Sequence, residues 1–455
     1  MLLKYFKDLL NDKELMKKTI KLALPMMLQS LIVSSVNLVD NLMVGQLGDN
    51  ALSGVAVANR YYTLIFFACN AIISASIIYM SQYNGANNET KMKECFRFSL
   101  LSSLIMLLLF FGVVRLFSYQ LVRFVINDPG IIDMGKRYFS LVCFSYLPLA
   151  LCVTISSCMR AVGEVKIPMI VSVGSIITNG LLDYALIFGK FGLPELGIEG
   201  AAIATVIARI LEMCVYLFVL KRGEYRFKTH INEVFVFDLS LAKNILIKAF
   251  PLVLNEIFYN LGLTMLMKLY STRGATVNTA YSVAMTVSDI FFVLFSGMAT
   301  ATTVLIGTPL GANKLEEAKG NGYKLIIFSF LLSFIFAIGM FLSGFAVPIL
   351  YRNVSIESQI LSMKILRCMS VCYWLYMINT ECFFVLRSGG DVKSTLFMDS
   401  LFMWAVNIPI VAILIYLTDL DIVIIYLIGQ YTDAIKLILS SRLIRKERWV
   451  KNLTV

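Results

Sequence analysis

Two carboxylates stand inside stretches of sequence that are long and apolar enough to cross a bilayer. Asp40 lies in the segment from Leu22 to Leu47, in which every other residue is uncharged. Asp183 lies in "TNGLLDYALIFG", four residues after Asn179. A carboxylate at the centre of a bilayer costs about 2.5–3.5 kcal/mol on insertion scales, so such acids are candidates for function by default.

The spacing of Asn179 and Asp183 places both side chains on one face of a helix. Together with a carboxylate from another helix, they offer oxygen atoms that suit a sodium ion or a shared proton. Thr205, in "GAAIATV", adds a hydroxyl oxygen. We therefore predict a cation- or proton-coupling site at Asp40, Asn179, Asp183 and Thr205, with Na⁺ as the candidate ion at the first three. The alternative is a permanently protonated Asp40 that only hydrogen-bonds a neighbouring helix.

Further acids lie inside the apolar segments of the second half of the chain. Glu256, Asp289 and Asp399 are candidates for a second site that binds substrate or protons. Arg209 and Glu212 stand three residues apart on one helix face, so they can neutralise each other. We interpret that pair as structural.

The composition identifies the elements that must position these residues. Of 455 residues, 58% are hydrophobic and only 15% are charged, whereas soluble domains carry about 25%. A bilayer core needs about 20 apolar residues per helix. Twelve spans are predicted in an all-α membrane protein: 19–44, 54–81, 97–117, 136–159, 168–189, 199–220, 245–270, 278–308, 323–350, 362–386, 395–417 and 421–441.

Charge and cysteine usage exclude several function classes. The net charge of +11 is spread over short loops, so no nucleic-acid partner is expected. Lys and Arg are concentrated on the N-terminal side of the membrane, which places both termini in the cytoplasm by the positive-inside rule. The nine cysteines form no metal-ligand pattern, and the single histidine, His230, lies in a loop. No catalytic motif appears, so neither an enzyme nor a cofactor is predicted.

The sequence repeats itself once. Pro25 recurs as Pro251 and "GAN" at 85–87 recurs at 311–313, both at an offset of 226 (251 − 25 and 311 − 85). "MRAVGEVK" at 159–166 is echoed by "LRSGGDVK" at 386–393. Six spans per half give a parallel repeat about a pseudo-two-fold axis. We predict an N-terminal lobe over 1–220, a cytoplasmic linker over 221–243 and a C-terminal lobe over 244–455, with a helix kink at Pro25.

Several long motifs resemble the multidrug and toxic compound extrusion (MATE) family. They are "LPMMLQSLIVSSVNLVDNLMVGQLG", the two "GAN" loops, "MRAVGEVKIPM", "NGLLDYALIFGKFGLPELGIEGAAIAT" and "LRSGGDVK". The resemblance implies a twelve-helix secondary transporter of the cytoplasmic membrane, in which entry of H⁺ or Na⁺ drives export of amphipathic, cationic organic compounds. It also implies that Pro25 and Asp40 match the first-helix proline and aspartate of the family. Asn179, Asp183 and Thr205 then match the family's N-lobe cation site.

Other classes of function remain as alternatives. A lipid-linked oligosaccharide flippase shares the same superfamily architecture, but it would favour fixed cations rather than an excess of buried acids. A membrane-embedded enzyme and a passive channel fit less well, since the chain lacks a nucleophile–base pairing and contains two repeated lobes. The expected partners are a small organic molecule and membrane lipid, and the chain is expected to function as a monomer.

Overall fold

The computed structural model describes residues 2–352 and 354–455, and all the long regular elements in this part of the chain are helices. A short amphipathic helix precedes twelve helices that are long and apolar enough to cross a membrane. They are α1 (Leu2–Asn11), α2 (Lys13–Gly45), α3 (Asp49–Gly85), α4 (Glu89–Val125), α5 (Pro129–Ala161), α6 (Lys166–Ile187), α7 (Ile198–Arg222), α8 (Leu239–Ser271), α9 (Ala275–Gly311), α10 (Leu315–Leu350), α11 (Ile356–Ser388), α12 (Val392–Leu417) and α13 (Ile422–Arg445).

The twelve predicted spans are confirmed, each by one of the helices α2–α13. The helices exceed most of the predicted spans because helical structure continues past the apolar window into polar residues. The span predicted at 54–81, for example, lies inside α3, which begins at Asp49 and ends at Gly85. Hydropathy detects the part of a helix that suits lipid, whereas caps and turns set where the helix stops.

The repeat in the sequence is also a repeat of helices. α2 and α8 contain 33 residues each, α3 and α9 contain 37, and α5 and α11 contain 33. α2 begins at Lys13 and α8 at Leu239, which reproduces the offset of 226 (239 − 13). Pro25 and Pro251 therefore occupy the same place in equivalent helices, and each helix runs through its proline.

The chain divides into two compact units at these prolines. Unit 1 comprises Met1–Met27 and Pro251–Val455, and unit 2 comprises Leu28–Phe250. The division crosses α2 two residues after Pro25 and crosses α8 directly before Pro251. The predicted lobes over 1–220 and 244–455 follow the order of the sequence. They differ from the compact units in two segments, since residues up to Met27 belong to unit 1 and residues up to Phe250 belong to unit 2. A proline leaves one backbone carbonyl of its helix without a partner, so both crossings fall where the helix is easiest to bend.

The polar segment between α7 and α8 is anchored to α4 within unit 2. Phe227 is fully buried and packs on Phe96, with 5.4 Å between the ring centroids. Arg97 donates hydrogen bonds to the Thr229 hydroxyl (2.6 Å) and the Val236 carbonyl (2.9 Å), and it pairs with Glu233. This segment is therefore a packed part of unit 2 rather than a free tether.

Candidate functional site

Asp40 and Asp183 lie side by side in unit 2, one on α2 and the other on α6. Their carboxyl groups are close enough to interact directly. Asp183 is 2% exposed, and Asp40 is partly buried. Two acids that are 143 residues apart in the sequence (183 − 40) thus share one small region of the lobe.

These carboxyl groups lack the partners that buried acids usually have. Both oxygens of Asp183 and the Oδ1 of Asp40 are buried and accept no hydrogen bond from any described residue. Ionised carboxylates are acceptors only, so a hydrogen bond between the two groups requires a proton. A buried charge without a partner is costly. None of the described residues neutralises the pair, so a proton or a small cation from outside it would have to do so if both groups ionise.

The other two predicted residues lie on the helices that form this site. Asn179 is one turn before Asp183 on α6, and its amide nitrogen is buried without a hydrogen-bond partner among the described residues. The Thr205 hydroxyl, on α7, donates to the carbonyl of Ala201 (3.0 Å). A hydroxyl that donates once still has lone pairs that accept or coordinate.

Tyr138 of α5 is a further member of this cluster, and the sequence interpretation missed it. Its side chain is 7% exposed, and it lies within electrostatic reach of both Asp40 and Asp183 and beside the Thr205 hydroxyl. A phenol can donate to a carboxylate or accept from a protonated one. No local motif marks this residue, because its neighbours come from three other helices.

The same two helices, α6 and α7, also carry an acid whose charge is compensated. Arg209 pairs with Glu212 at 2.6 Å, which confirms the predicted ion pair. Ser175 donates a second hydrogen bond to Glu212 (3.0 Å). Ser175, Asn179 and Asp183 are spaced four residues apart and form one polar stripe along α6. At one end of this stripe Ser175 contacts the neutralised Glu212 of α7, and at the other end Asp183 lies beside Asp40.

Small residues let these helices approach closely. A Cβ added at Gly200, in the first turn of α7, would lie 2.6 Å from the carbonyl oxygen of Leu186 at the end of α6. A Cβ added at Gly180 would contact Val36 of α2 at 3.6 Å. Glycine at position 200 therefore permits the close approach of α6 and α7, whereas a Cβ at position 180 would make only an ordinary contact with α2.

Gly200→Ala is expected to destabilise the protein by about 1–3 kcal/mol, because overpacking forces the backbones of α6 and α7 apart. Thermal unfolding of the detergent-solubilised protein measures the effect. Gly174→Ala is the matched control, since a Cβ at Gly174 meets no described atom within 4 Å. Equal melting temperatures for the two variants would show that the close approach at Gly200 is not required.

In unit 1, Asp399 belongs to a polar network rather than standing alone. Lys436 of α13 pairs with it at 2.7 Å, and the side-chain amide of Asn255 donates to its other oxygen at 3.3 Å. Ser400 in turn donates to the Asn255 side-chain oxygen at 2.6 Å. Asp399 lies in a π-helical segment of α12, Phe397–Leu401, and such segments are frequent at functional sites.

The two other predicted C-lobe acids are placed differently. Glu256 is partly buried on α8, within electrostatic reach of Arg387 and Asp399. Asp289 is exposed on α9 and lies within electrostatic reach of Tyr281. Glu256 and Asp399 thus belong to one neighbourhood, whereas Asp289 belongs to another.

Glu381 is the most deeply buried acid of unit 1, and the sequence interpretation did not assign it a role. It is fully buried on α11 and accepts hydrogen bonds from Thr302 (2.5 Å) and Ser329 (3.0 Å). By the offsets of the repeat, Thr154 corresponds to Glu381 (381 − 154 = 227) and Ser103 corresponds to Ser329 (329 − 103 = 226). The hydroxyls of Thr154 and Ser103 lie 2.9 Å apart. The carboxyl group is therefore a feature of the second half that the first half replaces with a neutral hydroxyl pair.

Comparison with known proteins identifies the family and the fold of the chain. The MatE family matches residues 25–185 and 251–413. The "Probable multidrug resistance protein NorM" of Thermotoga maritima is 24% identical over 412 residues, covering 88% of this chain and 86% of the relative. A crystal structure of "MATE in complex with MaL6" superposes with a TM-score of 0.85 at 18% identity, covering 94% of this chain and 96% of that one. An "outward-facing conformation of a multidrug resistance MATE family transporter" superposes at 0.83, with 19% identity over 94% of this chain and 96% of that one.

Proposed function

The chain belongs to the MatE family of secondary membrane transporters, and we propose that it is a cation-coupled antiporter that exports amphipathic, cationic organic compounds. The similarity to NorM multidrug resistance proteins supports export of drugs as the activity. The observation that carries the coupling proposal is the adjacent carboxyl pair of Asp40 and Asp183, whose buried oxygens accept no hydrogen bond from described residues.

The pair performs coupling because its charge depends on what it binds. Two carboxylates in a medium of low dielectric constant repel each other, so the empty pair favours the conformation in which water and ions reach it. Binding of H⁺ or Na⁺ removes the repulsion and favours the conformation in which the pair is closed. A membrane potential contributes about 2.3 kcal/mol per charge per 100 mV to inward movement of that cation.

The residues around the pair suit either coupling ion. Carboxylate oxygens from Asp40 and Asp183, the amide oxygen of Asn179 and the hydroxyl of Thr205 are the hard donors that a sodium ion uses. Tyr138 and the second carboxylate provide partners for a bound proton. No resident cofactor is required in this scheme, since the cation is transported.

Pro25 supplies the place where neutralisation would change the shape of α2. The helix passes from one compact unit to the other two residues after this proline, and Asp40 lies fifteen residues further along it (40 − 25). We propose that α2 bends at Pro25 when Asp40 is neutralised and narrows the substrate path. Differential affinity of the cation for the two conformations provides the free energy of that shift.

We propose that Glu256, Asp289 and Asp399 act on the substrate side. Glu256 lies within electrostatic reach of Arg387 but forms no ion pair among the described residues, whereas Asp399 is held by Lys436. An organic cation is therefore expected to contact Glu256 before it displaces Lys436. The proposed setting is the cytoplasmic membrane, with both termini in the cytoplasm and one chain as the functional unit.

Transport in proteoliposomes tests this function. The protein is reconstituted, a fluorescent organic cation is added, and the sodium and pH gradients are imposed separately. We expect uphill movement of the dye to follow one of these gradients and to stop when that gradient is dissipated. Dye movement that depends on neither gradient would contradict the antiporter proposal. Gradient-independent movement of lipid-linked oligosaccharide would favour the flippase alternative instead.

A further inference from the structure

Unit 1 contains an apolar cavity that the coupling proposal does not use. Its volume is about 670 Å³, within the range of small-molecule sites. It lies between α1, α10, α11 and α13, and side chains such as Phe6, Ile327, Phe330 and Trp374 line it. Every residue that lines it belongs to unit 1, so the cavity is a property of this unit alone.

Three polar residues stand among these apolar side chains: Tyr323, Ser441 and Arg445. Tyr323 is 4% exposed, and its hydroxyl is buried without a hydrogen-bond partner among the described residues. Its ring stacks on Tyr5 of α1, with 4.9 Å between the centroids, so the hydroxyl is held in place. Arg445, at the end of α13, has an exposed side chain and also lines the cavity.

The charge of this lining selects the kind of ligand. Arg445 is the charged residue among the described residues that line the cavity, and no acid is among them. Glu447 lies within electrostatic reach of Tyr323, but it is already paired with Lys319 at 2.7 Å, so a cationic drug would find no free counter-charge there. An amphiphile with a long hydrocarbon chain and an anionic head would bury the chain against the apolar wall and place the head at Arg445 and the Tyr323 hydroxyl.

We propose that this cavity binds one acyl chain of an anionic phospholipid, with the headgroup phosphate held by Arg445 and the hydroxyl of Tyr323. Further basic residues follow Arg445 directly in the chain, in the segment after α13: Lys446 and Arg448. A basic cluster at the end of a membrane helix attracts anionic lipid. The surrounding bilayer supplies this lipid continuously. Lipid binding here does not depend on the direction or coupling of transport.

A bound lipid would join elements that the two ends of the chain contribute. Phe6 of α1 and Ile444 and Arg445 of α13 line the same cavity. Asp12, directly after α1, also forms an ion pair with Lys324 of α10 (2.7 Å). Lipid in the cavity would therefore strengthen the attachment of the amphipathic N-terminal helix to the rest of unit 1.

Quenching of tryptophan fluorescence by brominated lipid tests the proposal, because Trp374 lines the cavity. The full chain carrying Trp404→Phe, which removes the exposed tryptophan of α12, is reconstituted in phosphatidylcholine. Brominated phosphatidylglycerol or brominated phosphatidylcholine is then added in increasing mole fraction. We expect half-maximal quenching at an about fivefold lower mole fraction for the anionic lipid, and loss of this component when Trp374→Phe is added.

Variants identify the groups that hold the headgroup. Arg445→Gln and Tyr323→Phe are each expected to raise the half-maximal mole fraction by about fivefold. Arg442→Gln removes the same charge from the same helix but from a residue that does not line the cavity, and it is expected to change the value less than twofold. Tyr323→Phe keeps the ring that stacks on Tyr5, so the fold should be retained.

Three results would overturn the proposal. Equal quenching by both brominated lipids would show that the cavity does not select lipids by headgroup charge. Equal effects of Arg445→Gln and Arg442→Gln would reduce the selectivity to general surface charge. Displacement of the brominated phospholipid by equimolar free oleate would assign the cavity to fatty acid instead.

Discussion

Asp183→Asn is expected to lower gradient-driven efflux of a fluorescent organic cation by about 100-fold while the folded protein remains as stable as the wild type. The substitution keeps the shape of the side chain and removes the negative charge that would hold the coupling cation. Loss of a buried charge interaction of about 3 kcal/mol corresponds to a factor of this size. Stability should be retained because the new amide can donate to the unpartnered oxygen of Asp40.

The measurement is efflux from proteoliposomes under the gradient that drives the wild type, together with equilibrium binding of the dye in detergent. We expect Asp40→Asn to behave like Asp183→Asn, with binding retained in both and gradient dependence lost. Asp133→Asn is the control, since it removes an exposed acid of α5 in the same unit. Wild-type efflux by both Asp40→Asn and Asp183→Asn would show that the pair does not couple transport.

The fold was largely predictable because each membrane-spanning helix is marked by its own local run of apolar residues. Twenty apolar residues in a row have few alternatives to a helix, and the repeat of Pro25 at Pro251 fixes the register of the two halves. The pairing of Asn179 with Asp183 was predictable for the same reason, since both lie on one helix. The resemblance to a known family placed Asp40 beside them as an expectation.

Residues whose role depends on contacts between distant helices could not be predicted. Tyr138 enters the site from α5 because the packing of four helices brings it there, and nothing in its neighbourhood in sequence marks it. In the sequence, Glu381 is an isolated acid in an apolar span, and only the structure shows that Thr302 and Ser329 donate hydrogen bonds to it. Lys436 likewise gained its partner, Asp399, only from the packing of α12 against α13.

Arg209→Gln is expected to destabilise the protein by about 2–3 kcal/mol, less than the loss of one partner from a fully buried ion pair, because the Arg209 side chain is 31% exposed. Glu212 is 4% exposed, so its carboxylate would keep only the hydrogen bond from Ser175. The double variant Arg209→Gln/Glu212→Gln should recover most of the stability, because two neutral amides can hydrogen-bond in place of the charges. Thermal or denaturant unfolding in detergent measures both.

The double variant also separates the two kinds of acid in unit 2. Arg209 lies 2.6 Å from Glu212, so no transported ion is needed to neutralise this acid. The folded double variant should therefore transport substrate at a rate within about threefold of the wild type. Asp183 has no such cation, so its loss should leave stability intact and remove coupling. A folded double variant that lost gradient-driven efflux would place Arg209 and Glu212 in the coupling machinery. Compensation by a fixed charge, rather than depth in the membrane, would then no longer distinguish structural acids from coupling ones.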